Sequence, residues 1–156
     1  MLLSCARALA FCILVASPLT AIADAKTKIF CVAVQEEFNK LTDQLPLKVD
    51  YMTSVVGVVA FYTSTECIVQ YSYVINEEKF IAEFMEGAQG ELSWQESVDY
   101  INSQEGRELL IETFKGDAKS TFKKLLVLPS IRAKVNYTSD GFNIDSFGYS
   151  MTKADL

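Results

Sequence analysis

Apolar positions recur along this chain with two different periods, and the switches between them mark its elements. From Lys28 to Asp43, residues Cys31, Val34, Phe38 and Leu41 fall at helical spacing, with Glu36, Glu37 and Lys40 on the other side. This predicts an amphipathic helix that closes before Leu45-Pro46. Lys48–Tyr62 then turns rich in β-branched and aromatic residues, Thr63-Ser64-Thr65 supplies a turn, and Glu66–Asn76 alternates with Cys67, Val69, Tyr71, Tyr73 and Ile75 on one face. A long hairpin is expected there.

Helical spacing returns from Glu77 to Gly116. Phe80, Ile81 and Phe84 form one patch before the Gly87–Gly90 break, and Ser93-Trp94-Gln95-Glu96 has the form of a capping box. Gly116 reads as a helix end, with Asp117 capping a final helix over Ala118–Leu126 that Pro129 stops. Past it, Ile131, Ala133, Val135 and Tyr137 alternate with Arg132, Lys134 and Asn136. Asp140-Gly141 is a two-residue turn signal, and Phe142–Met151 returns as the partner strand. The expected architecture is α+β: a four-stranded antiparallel sheet made of two hairpins, with helices packed on one face.

The hairpin segment Arg132–Asp155 carries the pattern R-x-K-V-x-Y-x-x-D-G-x-x-I-x-x-F. With Leu45–Thr53 and Tyr71-Ser72-Tyr73 it resembles small exported bacterial α+β proteins of unassigned activity. Such proteins often carry a cysteine near the C-terminus, where this chain has Thr152-Lys153-Ala154-Asp155-Leu156. The resemblance implies export and carries no functional residue.

The first residues agree with export. Arg7 precedes an apolar run from about Ala8 to Ile22, followed by Ala21-Ile22-Ala23 or Ala23-Asp24-Ala25 with small residues where a signal peptidase reads. A secretory leader over Met1–Ala25 is expected, cut after Ala23 or Ala25, with residues 26–156 forming one periplasmic or secreted domain. The apolar run is shorter than the roughly 20 residues of a membrane span, so no stable membrane insertion is expected after cleavage. Cys5 and Cys12 leave with the leader. The remaining even pair, Cys31 and Cys67, reads as a disulfide in an exported domain, the alternative being two buried free thiols.

Composition mostly excludes. The chain has no histidine, which removes the commonest general base near neutral pH and the commonest zinc ligand. Its net charge is −6, which argues against nucleic acid as a partner. No catalytic residue, metal site or cofactor is expected, and a non-enzymatic binding protein is the leading reading: an inhibitor, an immunity protein or an accessory of secretion and assembly.

Charge is nonetheless segregated. Glu77–Glu112 holds ten acidic residues against Lys79 and Arg107, whereas Lys115–Lys134 holds six basic residues against Asp117 alone. A patch of Lys119, Lys123, Lys124, Arg132 and Lys134 would dock a protein partner or an anionic surface, unless acidic and basic helices neutralise each other locally. A second reading makes the chain a carrier of a small apolar ligand, with Tyr71, Tyr73 and Trp94 lining a pocket between sheet and helices. A small hydrolase or isomerase using a buried carboxylate is the third.

Overall fold

The computed structural model describes residues 17–128 and 130–156. The leader expected over Met1–Ala25 lies outside the described residues as far as Ala16, and so does Pro129. The first helix, α1, spans Ser17–Thr42. Its inner face is Thr27, Phe30, Cys31, Val34, Phe38 and Leu41, and Glu36, Glu37 and Lys40 face solvent, as the helical spacing predicts.

Strands β1 (Leu47–Lys48), β2 (Thr53–Tyr62) and β3 (Cys67–Ile75) follow, with β2 and β3 joined antiparallel through the turn after Tyr62. Val56 is an extra residue in β2, so the register shifts between Val55 and Gly57. Three helices come next: α2 (Glu77–Gly87), α3 (Trp94–Asn102) and α4 (Gln104–Phe122). The capping box forms at Ser93 as expected: Glu96 N–H donates to the Ser93 hydroxyl and Ser93 N–H to the Glu96 carboxylate. The chain closes with β4 (Ile131–Ser139), β5 (Phe147–Met151) and a helical turn at Lys153–Asp155.

The sheet differs from two antiparallel hairpins. It has five strands in the order β1-β2-β3-β4-β5, and β3 and β4 run parallel, with Tyr73 opposite Tyr137. The reason is the connection: α2–α4 carry the chain back along one face of the sheet, so β4 starts at the same end as β3. The helices do share one face. Phe38 of α1 and Phe122 of α4 both pack on Tyr71.

Two further expectations are corrected. Gly116 does not end a helix, since α4 runs through it to Phe122. A Cβ at Gly116 would meet nothing, so the residue faces solvent, while Leu110, Phe114, Ala118 and Phe122 keep the inward stripe at spacing four. That stripe outweighs the roughly 1 kcal/mol a mid-helix glycine costs. Nor do Asp140 and Gly141 make a two-residue turn. Residues 140–146 form a longer connection between β4 and β5, held down by α2, α3 and α4.

The Cys31–Cys67 disulfide ties α1 to the start of β3, with both cysteines buried. The core lies between sheet and helices and is built on Val69, Ile75, Ile81, Ile101, Leu126, Ile131 and Met151.

Candidate functional site

Alternation along β3 turns Tyr71 and Tyr73 toward the helices, and the parallel register sets Tyr137 beside Tyr73. Their rings form one continuous series. Phe38 meets Tyr71 at 5.5 Å, Tyr73 stacks on Tyr137 at 5.0 Å, and Tyr137 meets Phe147 at 5.0 Å and Phe114 at 4.8 Å. These are packing distances for offset and tilted aromatic pairs. Tyr149 donates its hydroxyl to the Phe114 carbonyl at 3.2 Å. Burial pushes the Tyr71 phenol up to about 12 and also raises Tyr73, Tyr137 and Tyr149. All four are neutral hydroxyls at ordinary pH. Trp94 stands apart from them at the first turn of α3, 39 % exposed, so the expected trio divides between two layers.

The expected basic patch also divides. Lys119 lies in the last turn of α4, with Lys123 and Lys124 exposed just after it. Arg132 and Lys134 alternate along β4 with the helix-facing Ile131, Ala133 and Val135, and so project from the opposite face of the sheet. Arg132 Nε donates to Glu66 Oε2 at 3.0 Å, and Lys115, the first basic residue of the Lys115–Lys134 segment, is paired with Asp155 at 2.5 Å.

Local neutralisation of the acidic helices is likewise not what the ion pairs do. The salt bridges among the described residues use Glu37, Asp145, Asp155 and Glu66, and none of the acids between Glu77 and Glu112. The two cations of that segment are engaged elsewhere. Lys79 Nζ donates to the Tyr51 carbonyl, while Arg107 reaches Asp145 and the Asn102 carbonyl.

Among the described residues one carboxylate is buried. Glu77, the first residue of α2, is 6 % exposed. Its Oε2 accepts from the Ser139 hydroxyl (2.9 Å) and from the backbone N–H groups of Asn143 (2.9 Å) and Ile144 (3.1 Å). Its Oε1 accepts from Asn143 Nδ2 at 2.6 Å. Burial alone would raise its pKa, but these donors outweigh burial and hold it below the ordinary glutamate value. Asp140 completes the knot by accepting from the Glu77 N–H and from Asn76 Nδ2. An ionised carboxylate held by four donors fastens the 139–144 segment to α2. Sequence reading missed it because Glu77 looks like any helix-opening acid until the distant 139–144 segment arrives.

Two apolar surfaces remain exposed. On the sheet face away from the helices, Val59 and Phe61 of β2 are 44 % and 41 % exposed beside the equally exposed bulge residue Val56. β1 pairs only with Ser54 and Val55, so among the described residues the outer edge of β2 beyond the bulge has no strand beside it. Between the helices, a cavity of about 350 Å3 opens to solvent, lined by Phe84, Gly87, Ala88, Leu92, Tyr100 and Leu109.

Among the described residues no cluster of three or more Cys, Asp or Glu could hold a metal ion, and no helix is long and apolar enough to cross a membrane. No protein-family model matches the sequence, and no curated protein matches it significantly. Among solved structures, the chain is similar to a crystal structure of a "putative secreted protein" from Pseudomonas aeruginosa. The two share 9 % identity with a TM-score of 0.48, over 86 % of this chain and 96 % of the other.

Proposed function

We propose that the chain is an exported, non-enzymatic binding protein, and that its partner is another protein engaging the sheet along β2. The observation that carries this reading is the row Val56, Val59 and Phe61 beside an unpaired strand edge. The strand Thr53–Tyr62 has no charged residue and no proline, two of the devices that ordinarily blunt an edge. An exposed edge of this kind recognises an extended segment of a partner through main-chain hydrogen bonds, with alternate side chains supplying specificity.

Export is supported by the leader pattern and by the Cys31–Cys67 disulfide, a bond that persists in oxidising compartments. A non-catalytic role is supported by Glu77, the buried carboxylate, whose hydrogen bonds leave it nothing to transfer. The carrier reading loses support because Trp94 lies away from Tyr71 and Tyr73, whose rings pack against their neighbours.

Site-specific photocrosslinking in the producing cell tests the proposal. A photoreactive residue at position 59 or 61 is expected to give an adduct with one discrete second protein. The same residue at position 40, on the solvent side of α1, is expected to give none. Absence of an adduct at both β2 positions, in protein whose circular dichroism matches the unmodified chain, overturns the reading.

A further inference from the structure

The cavity between α2, α3 and α4 lies away from β2, and its surroundings specify a ligand chemistry of their own. We propose that it receives an apolar side chain from a cationic, amphipathic peptide segment of a partner.

The lining is aromatic and aliphatic, and Leu109, 49 % exposed, stands at its edge. At about 350 Å3 the cavity sits at the lower end of ligand-pocket volumes and is open on one side. That shape suits one or two large side chains projecting from a macromolecule better than it suits an enclosed free ligand.

Charge then selects the partner. Glu105 and Glu112 lie four residues before and three after Leu109, so all three share one face of α4. Glu91 adjoins Leu92, and Glu86 adjoins Gly87 in the last turn of α2. All four acids are exposed, and among the described residues none has a basic partner. The cavity also takes in the C-terminal end of α2, where the helix dipole is negative and the last turn holds no basic residue. Carboxylates and dipole add in the same direction. An anionic ligand, such as a fatty acid or a phospholipid surface, is repelled from this mouth, and a neutral one gains nothing from it. A segment with a Leu or Phe anchor flanked by Lys or Arg gains both burial and charge complementarity.

The test uses the purified, disulfide-bonded protein and three synthetic amphipathic helices of one Leu pattern, with Lys, Gln or Glu on the polar face. The Lys peptide is expected to bind at least tenfold more tightly than the other two, with affinity falling as salt rises. Leu109→Lys is expected to weaken it by tenfold or more, and Glu105→Gln with Glu112→Gln by about two- to fivefold per charge. Thermal unfolding of each variant confirms that it is folded. Equal binding of the Gln peptide, or binding unaffected by Leu109→Lys, overturns the proposal. So does tight binding of the neutral apolar probe N-phenyl-1-naphthylamine that Leu109→Lys abolishes while the Lys peptide stays bound.

Discussion

Gly141 stands so close to the Glu77 carboxylate that a Cβ on it would come within 2.3 Å of Oε1. This contact joins the loop between β4 and β5 to the first turn of α2. The loop is pinned at further points by Asn102, whose Nδ2 donates to the Asn143 carbonyl, and by Arg107, which is paired with Asp145. Gly141 is therefore required for space.

Gly141→Ala is expected to destabilise the fold by about 1–3 kcal/mol, because either the loop or the buried carboxylate must move off its donors. Gly116→Ala is the contrast. Its Cβ would meet nothing, so it is expected to stabilise α4 by up to about 1 kcal/mol. Urea titrations of the two variants should shift the midpoint in opposite directions. Equal shifts would mean that the Glu77 contact does not constrain the loop.

Acid titrates the same fastening. The Glu77 carboxyl is held below its ordinary 4.5 and Asp155, paired with Lys115, below its ordinary 3.8 at about 2. A carboxyl whose folded value is depressed binds fewer protons than the unfolded chain. The stability it confers is therefore complete above about pH 4.5 and lost as pH falls through the folded value. Stability measured by urea midpoint is expected to fall below pH 4.5. Glu77→Gln is expected to cost about 1–3 kcal/mol at pH 7, since its amide places a donor against donors. That cost should shrink toward pH 2; a constant difference across this range would remove Glu77 as its source.

How much of this was legible depends on how local the cause is. The inner face of α1, the β2–β3 hairpin and the Ser93 capping box follow from spacing within a dozen residues, and they stand as the spacing implies. The direction of β4 relative to β3 does not, because Ile131–Tyr137 alternates in the same way whether its neighbour is parallel or antiparallel. It follows from where α2–α4 deliver the chain. Gly116 and Asp140-Gly141 mislead for a related reason: tertiary contacts by Phe114 and Phe122 in one case, and by Glu77 in the other, override a sound local signal. Of the candidate sites, the basic residues read as one patch in sequence but split across the sheet, since alternate strand residues face opposite ways. The helical cavity has no sequence signature at all, being assembled from the spaces between three elements.

The disulfide closes a loop with a sequence separation of 36 residues. On the loop-entropy account, a cross-link of this span restricts the unfolded chain by about 3–4 kcal/mol. Cys31→Ala with Cys67→Ala, or reduction with dithiothreitol, is expected to lower the unfolding free energy by about that amount without changing the strand pairing. Urea unfolding with and without reductant measures it. A loss below about 1 kcal/mol would show that α1 is held on the sheet by Phe30, Val34 and Phe38 rather than by the bond.

At the alkaline end the aromatic row takes over. The Tyr71 phenol is raised from 10.0 to about 12, chiefly by burial, and Tyr73, Tyr137 and Tyr149 are raised as well. A raised folded value means that the folded chain keeps protons the unfolded chain has released. The stability is full below pH 10 and declines as pH climbs from 10 toward 12. Absorbance at 295 nm should accordingly show the phenolates of Tyr71, Tyr73, Tyr137 and Tyr149 appearing only as the fold is lost. Tyr71→Phe keeps the ring contacts with Phe38 and Phe122 and removes one suppressed phenol. It is expected to change stability little at pH 7 and to make the decline above pH 10 shallower. An unchanged alkaline slope would mean that Tyr71 is hydrated enough to ionise freely in the folded chain.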